Sequence, residues 1–220
     1  MQVYTFLSKT PEKSENLDKG SFFDLLKIRQ LWFILPLVLI HYAPVAGIRG
    51  LWIGPYINDN FYSTSNLAFA TTAMSLAMIA GTFAYGPMDR IFGTRKWIIF
   101  IGSSVSLASL IGLALLNEIS FNLAVILFCT LGFFGMSYPL MIAHGRSFSP
   151  ENLTGRCVTL LNMFAIGGVG IFQFLTGRIF SKLTEVHNNH HEAYSIIFLF
   201  YASALFLGLI LYLKSKDRLD

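Results

Sequence analysis

Apolar residues in this chain run in six long blocks, near 31–54, 66–88, 97–117, 121–143, 154–180 and 193–213, separated by short polar stretches. Each block is long enough for a helix to cross a hydrocarbon core of about 30 Å, which takes about 20 residues. Backbone N–H and C=O groups in lipid have no water to bond, so a spanning segment satisfies them internally. The pattern predicts an all-α, polytopic membrane protein with six transmembrane helices. Ahead of the first block, "SFFDLLKIRQ" offers Ser21 as N-cap and Asp24 three residues later, a capping-box pattern. Phe22, Phe23, Leu26 and Lys27 fit a short surface helix there, and an unbroken continuation of the first span fits equally.

Composition agrees: 54% of the residues are hydrophobic and only 13% charged, more apolar surface than a soluble domain of 220 residues can hide. The first 20 residues are polar, so no cleavable signal peptide is expected. Cys129 and Cys157 lie in or beside apolar blocks and do not read as a disulfide framework.

The net charge of +4 is modest, but the basic residues are unevenly placed. Thirteen fall on one side of the six-span topology: Lys9, Lys13, Lys19, Lys27, Arg29, Arg90, Arg95, Lys96, Arg146, Arg156, Lys214, Lys216 and Arg218. Arg178 and Lys182 fall on the other, and Arg49 lies within the first block. The positive-inside rule makes both termini cytoplasmic. Trp32, Trp97 and Tyr212 then mark the inner interface, and Tyr56 and Tyr62 the outer. The expected division is a linker with an interfacial helix over 1–29, a six-helix bundle over 30–213, and a cytoplasmic tail over 214–220.

The six spans read further as a 3+3 inverted repeat, the arrangement in which transporter halves carry interrupted helices at matching positions. The first block holds "YAPVAGIRG" and the fourth holds "GFFGMSYP", each combining Gly and Pro inside the apolar run. Spans 1 and 4 are therefore expected to bend around a cavity. Arg49 is the fully charged residue within a block, and so a candidate solute contact. On an ideal helix Tyr42 shares its stripe, with His41 about a quarter turn away. This set suits a carboxylate or phosphate, because the guanidinium fork binds planar anions bidentately. The alternative is that Arg49, ~27 Å along the helix from Leu31, reaches the outer interface. Asn162 and Gln173 fall on one stripe of span 5, either lining a polar path or bonding between helices. Thr71, Ser75 and Thr82 follow a helical spacing in span 2, where Ala73, Ala77 and Gly81 form a packing seam.

The loop "YGPMDRIFGTRK" carries Gly86, Asp89, Arg90, Gly93, Arg95 and Lys96 between the second and third blocks. With this topology it resembles the loop signature of the major facilitator superfamily. "SFFDLLKIRQLWF" is similar to the lead-in to the seventh helix of such transporters and "RGLWIGPYI" to that helix's outer end. "PENLTGRCVTLLNMFAIGGVGIFQFLTG" is similar to the eleventh helix, and "TPEKSE" resembles the central linker. The resemblance implies the C-terminal half of a twelve-helix transporter, with the loop as a conformational latch. Arg49-Gly-x-Trp52 also resembles the equivalent helix of organophosphate transporters, which adds Trp52 to the candidates. Gly86 and Gly93 are expected to allow close backbone approach, and Asp89 to accept from backbone N–H groups near 153–156.

The resemblance implies a secondary transporter for a small solute, in a bacterial inner membrane, that needs its N-terminal half. That half is expected as a separately encoded chain or, less well, as a homodimer partner. A non-transporting assembly protein or an inert remnant of an interrupted gene is the alternative. No cofactor, metal or nucleic-acid partner is expected. "EVHNNHHE" gathers Glu185, His187, His190, His191 and Glu192 but nothing fixes a metal geometry. No block holds Asp or Glu: Asp59 and Glu118 read as outer-loop residues, and His144 as interfacial. A proton carrier would then be His41 or a residue of the other half. Without H-E-x-x-H, G-x-S-x-G or a P-loop, the chain does not read as an enzyme.

Overall fold

The structure is a computed structural model that describes residues 21–61, 64–116, 120–187 and 190–219. Lys9, Lys13 and Lys19 of the expected linker, Tyr62 and Glu118 lie outside the described residues. The first helix, α1 (Phe22–Leu25), starts at Ser21, whose side chain accepts from the Phe23 N–H while Asp24 accepts from the Ser21 N–H at 2.8 Å. Lys27 closes onto Asp24 at 2.7 Å. Ile28 then turns to an extended conformation, so α1 is separate from the first span.

Span 1 is α2 (Arg29–Gly47), a π-helical turn (Ile48–Trp52) and α3 (Ile53–Phe61). Span 2 is α4 (Thr64–Phe92) and span 3 is α5 (Lys96–Leu115). Span 4 is broken into α6 (Phe121–Gly135) and α7 (Tyr138–Arg146). A 3-10 turn (Glu151–Leu153) leads into span 5, α8 (Thr154–His187), and span 6 is α9 (His190–Tyr212). All six are long and apolar enough to cross a membrane. Both expected interruptions are present, in spans 1 and 4. Several helices outrun their apolar blocks: span 1 continues to Phe61 and span 2 to Phe92. Asp59 and Asp89 are therefore helical residues, not loop residues. Hydropathy marks only the stretch at hydrocarbon depth, whereas the backbone keeps its own hydrogen bonds until a turn residue stops it.

Packing follows the repeat. Span 1 lies on spans 5 and 6, span 4 on spans 2 and 3, and span 3 on span 6. Exchanging spans 1, 2 and 3 with 4, 5 and 6 turns these pairs into one another. The closest approaches obey the same exchange. Gly81 of span 2 sits on the Phe133 carbonyl of span 4, and Gly168 of span 5 on the Leu39 carbonyl of span 1. A Cβ at either glycine would strike backbone, the condition that small residues meet at membrane helix crossings.

Aromatic placement differs from the expected belt. Trp32 and Trp97 are exposed, but Tyr56 and Tyr212 are fully buried. Tyr56 meets Phe128, Tyr194 and Phe198 edge-to-face near one end of the core. Spacing along the chain does not say which way a tyrosine turns.

Spans 2 and 5 are the least covered. Only 17% and 22% of their apolar windows are buried, against 44% to 67% for the other four. Each packs chiefly against one long neighbour, and these two spans exchange under the repeat.

Gly168→Val is expected to lower stability by about 2 kcal/mol or more, because a backbone carbonyl cannot yield as a side chain can. Gly170, with nothing within 4 Å of an added Cβ, should accept Ala without loss. Thermal unfolding of the two variants in detergent separates a crossing glycine from one that faces outward.

Candidate functional site

The π-helical turn places the charged residue of span 1. The Ile53 N–H donates to the Ile48 carbonyl five residues back, which widens the helix by one residue. Ile48 and Trp52 point into the core while Arg49, Gly50 and Leu51 are exposed. Arg49 Nε donates to Ser75 Oγ of span 2 at 2.7 Å, and that hydroxyl donates onward to the Thr71 carbonyl at 2.6 Å. Among the described residues Nε is the only hydrogen-bonded side-chain nitrogen of Arg49. Gly50 faces the opposite neighbour: a Cβ there would lie 3.9 Å from Gln173 Nε2 of span 5. The Arg49–Gly50 step thus sits between the two bare spans.

One turn-pair down, Tyr42 stacks on Tyr138 with ring centroids 5.1 Å apart. The Tyr138 hydroxyl donates to Asn162 Oδ1 of span 5, and Asn162 Nδ2 donates to the Val158 carbonyl at 3.0 Å. Tyr138 stands just past the break in span 4. Asn162 therefore bonds between helices, one of its two expected roles. Tyr42, Tyr138, Asn162 and Gln173 are all half-buried, along the side of span 1 that spans 4 and 5 flank.

His41 and Trp52 turn the other way. Ser103 Oγ already donates to the Ile99 carbonyl at 2.7 Å, so it accepts from His41 Nδ1 at 3.0 Å. Nε2 then accepts from the Ser137 hydroxyl at 2.9 Å. His41 is 2% exposed and ties spans 1, 3 and 4. Trp52 Nε1 donates to Thr176 Oγ1 of span 5 at 3.1 Å, with its ring against Phe180. At the far end of the bundle His190 lies 2.8 Å and the Tyr194 hydroxyl 2.7 Å from Asp59, and His191 lies 3.2 Å from Asn60. Among the described residues no three metal-ligating side chains converge.

The loop between spans 2 and 3 differs from its expected geometry. Asp89 is buried in the last turn of α4 and pairs with Arg95 Nε at 2.8 Å, inside its own loop and not at 153–156. Gly86 has open space around it, so no close approach depends on it. Gly93 is needed for its backbone, which turns at φ +64° to end the helix. The carboxylate at a helix start is Asp217. It accepts from the Arg95 and Lys96 N–H groups at 3.2 and 3.0 Å and from the Thr94 hydroxyl, capping α5. Lys96 Nζ in return donates to the Leu213 and Ser215 carbonyls at 2.7 Å each, closing the end of α9. The Lys216 N–H donates to Gln30 Oε1 at 3.0 Å. His144 Nε2 donates to the Lys216 carbonyl at 2.9 Å, and its Nδ1 accepts from the Tyr212 hydroxyl at 2.8 Å. Within the segment read as a tail, 214–220, residues 215–218 are bonded to the bundle.

These elements are those of a known transporter architecture. The family model described as Major Facilitator Superfamily matches residues 21–219. The chain belongs to the major facilitator superfamily. The inward-open structure of the xylose transporter XylE from E. coli superposes with a TM-score of 0.66 at 16% sequence identity. That match covers 90% of this chain and 49% of XylE, so the chain spans about half the length of that transporter. No curated protein sequence matches. Major facilitator proteins are membrane carriers of small solutes rather than enzymes, and the enzyme class is closed on that ground.

Within this major facilitator half, Asp89 and Asp217 act differently. Asp89→Ala removes the carboxylate that pairs with the buried Arg95 Nε, and a loss of about 3 kcal/mol is expected. The Asp89→Ala/Arg95→Ala pair should recover part of it, measurable as a double-mutant cycle on unfolding temperature. Partial burial pushes Asp217 upward, but bonds from Thr94 and the Lys96 and Arg95 N–H groups prevail and hold it below the usual carboxylate range. Its contribution is complete above the ordinary carboxylate value of about 4 and is lost as pH falls through the lowered native value. Wild type should exceed Asp217→Asn by about 0.5–1 kcal/mol at neutral pH, a helix-terminus effect. The gap should close in acid, and a gap that persists unchanged below pH ~3 contradicts the assignment.

Proposed function

We propose that this chain is one six-helix half of a secondary carrier for a small solute with an anionic group, and that Arg49 is its anion contact. The observation that supports this reading is the Arg49 guanidinium: exposed, set in a π-helical turn between the two bare spans, and engaged through Nε alone among the described residues. Its Nη edge is left for the planar fork that carboxylates and phosphates accept bidentately. Tyr42, seven residues or ~10 Å along the helix, with Tyr138, Asn162 and Gln173, offers hydroxyl and amide partners to the body of the solute. XylE is a xylose transporter, and a neutral polyol would need only those groups. The arginine turns the reading toward an anion. In this proposal His41 and Trp52 hold the site from behind, since His41's ring nitrogens and the Trp52 indole N–H are already bonded to other helices.

Alternating access needs a second bundle rocking against this one around a midplane site. The uncovered flanks of spans 2 and 5 are where it would pack, supplied by a longer polypeptide or by a separate chain. An antiparallel second copy conflicts with the thirteen-to-two charge asymmetry, which supports cytoplasmic termini by the positive-inside rule; a bacterial inner membrane is the proposed location. The same bare flanks would also serve a non-transporting assembly subunit, the second reading.

The test is thermal stabilisation of the purified chain by a panel of phosphate monoesters and carboxylates. A stabilising anion should bind Arg49→Ala about 10–100-fold more weakly, with Arg49→Lys in between. Co-expression with a complementary six-span half should then give uptake that fails in Arg49→Ala. Constant co-purification with a large partner, and no stabilisation by any anion, would favour the assembly reading.

A further inference from the structure

Span 2 is an unbroken helix where it passes the widened turn of span 1, and one of its hydroxyl groups meets Arg49 there. Ser75 is half-buried and follows Met74, which is fully buried. An added Cβ at Gly132 of span 4 would lie 3.1 Å from the Met74 carbonyl, so span 2 is closely packed at this level. The Ser75 hydroxyl has one proton, and it goes to the Thr71 carbonyl at 2.6 Å. Toward any other group the oxygen can only accept, and Arg49 Nε donates to it at 2.7 Å. Thr71 and Thr82, at helical spacing from Ser75, donate to carbonyls of span 2 itself.

This bond constrains the guanidinium group in two ways. A free guanidinium offers planar oxyanions two forks, Nε with one Nη or the two Nη together. Ser75 occupies Nε, which removes the first fork and leaves the second. The bond also limits the swing of a long side chain carried on a widened turn. Arginine has many rotamers to lose when it grips a ligand, and a bond made beforehand removes part of that loss. The support comes from a packed helix rather than a loop, which suits a group that must hold another in place.

We propose that Ser75 is the positioning residue of the anion site: its hydroxyl, held by the Thr71 carbonyl, fixes Arg49 so that an oxyanion is taken through the paired Nη groups. The proposal rests on the reading of Arg49 as the anion contact, and it adds a selectivity to that reading. A fixed fork suits an anion that presents two oxygens side by side, a carboxylate or a phosphate. A spherical anion such as chloride needs the charge and gains nothing from the fork.

The bond is tested first, without any anion. The full chain, carrying isotope-labelled arginine in nanodiscs, gives an Arg49 Nε–H magnetic resonance signal identified by its loss in Arg49→Lys. That proton should exchange slowly with water in wild type and in Ser75→Thr, and rapidly in Ser75→Ala. Inorganic phosphate and chloride are then titrated against the unfolding temperature of each variant. Ser75→Ala should bind phosphate about five-fold more weakly, the worth of one hydrogen bond, with chloride binding unchanged. Ser75→Thr should bind both anions as wild type does. Alanine suits a helix interior, and an unchanged unfolding temperature without added anion verifies the fold of Ser75→Ala. Fast Nε–H exchange in wild type, or slow exchange in Ser75→Ala, overturns the proposal and leaves the Arg49 reading standing. Undiminished phosphate binding by Ser75→Ala, or equal weakening of phosphate and chloride, also overturns it. A protected Nε–H with no phosphate binding that depends on Arg49 instead defeats the Arg49 reading, and the role of Ser75 falls with it.

Discussion

Two backbone contacts, Gly81 on the Phe133 carbonyl and Gly168 on the Leu39 carbonyl, set the geometry on which the rest of this bundle depends. Lipid tails are as apolar as leucine, so membrane helices gain little from hydrophobic contact and associate by packing and interhelical hydrogen bonds. The two contacts bring span 2 onto span 4 and span 5 onto span 1, and they exchange under the 3+3 repeat. Spans 2 and 5 are thereby held by one side, which is why they remain the least covered of the six.

The same crossings sort the polar side chains of span 1. With span 5 pressed against it, Trp52 reaches Thr176 and Gly50 comes beside Gln173. With spans 3 and 4 behind it, His41 is enclosed by Ser103 and Ser137. Thr176, Ser103 and Ser137 each satisfy a group that would be costly to leave unpaired at low dielectric. Arg49 is treated otherwise, with one nitrogen bonded to Ser75 and its outer edge exposed. The contrast between a fully bonded histidine and a partly bonded arginine, eight residues apart, separates the interior of the half from its exposed face.

At the opposite end the helix termini are closed by residues from elsewhere in the chain. Arg95, the N-cap position of α5, supplies no side-chain cap, and Asp217 supplies it from 122 residues away. Lys96 closes the end of α9 in exchange. Opposite charges at opposite helix poles make this reciprocal fit favourable at both. The loop with the family's signature is thus braced by the chain's last described residues as well as by its internal Asp89–Arg95 pair.

Much of this was legible in the residues alone. Six spans, the interruptions in spans 1 and 4, the capping box at Ser21 and the family followed from periodicity, Gly and Pro placement and a loop motif. Such features depend on near neighbours in sequence or on the thickness of the bilayer. Arg49 stands out as a candidate for a related reason, since a charge in an apolar run is visible whatever surrounds it. The roles of His41, Tyr56, Tyr138 and Asp217 were not legible. A histidine one residue from Tyr42, a tyrosine spaced for an interfacial belt and an aspartate past the last helix look the same whether they face lipid, solute or protein. Only the tertiary structure decided, because their partners lie on other helices, 24, 62, 96 and more residues away. The sequence by itself determined which segments enter the membrane, since that is a transfer energy each segment settles alone. Which face of each helix is buried, and which polar group meets which, depends on how six helices cross, a property no single segment carries.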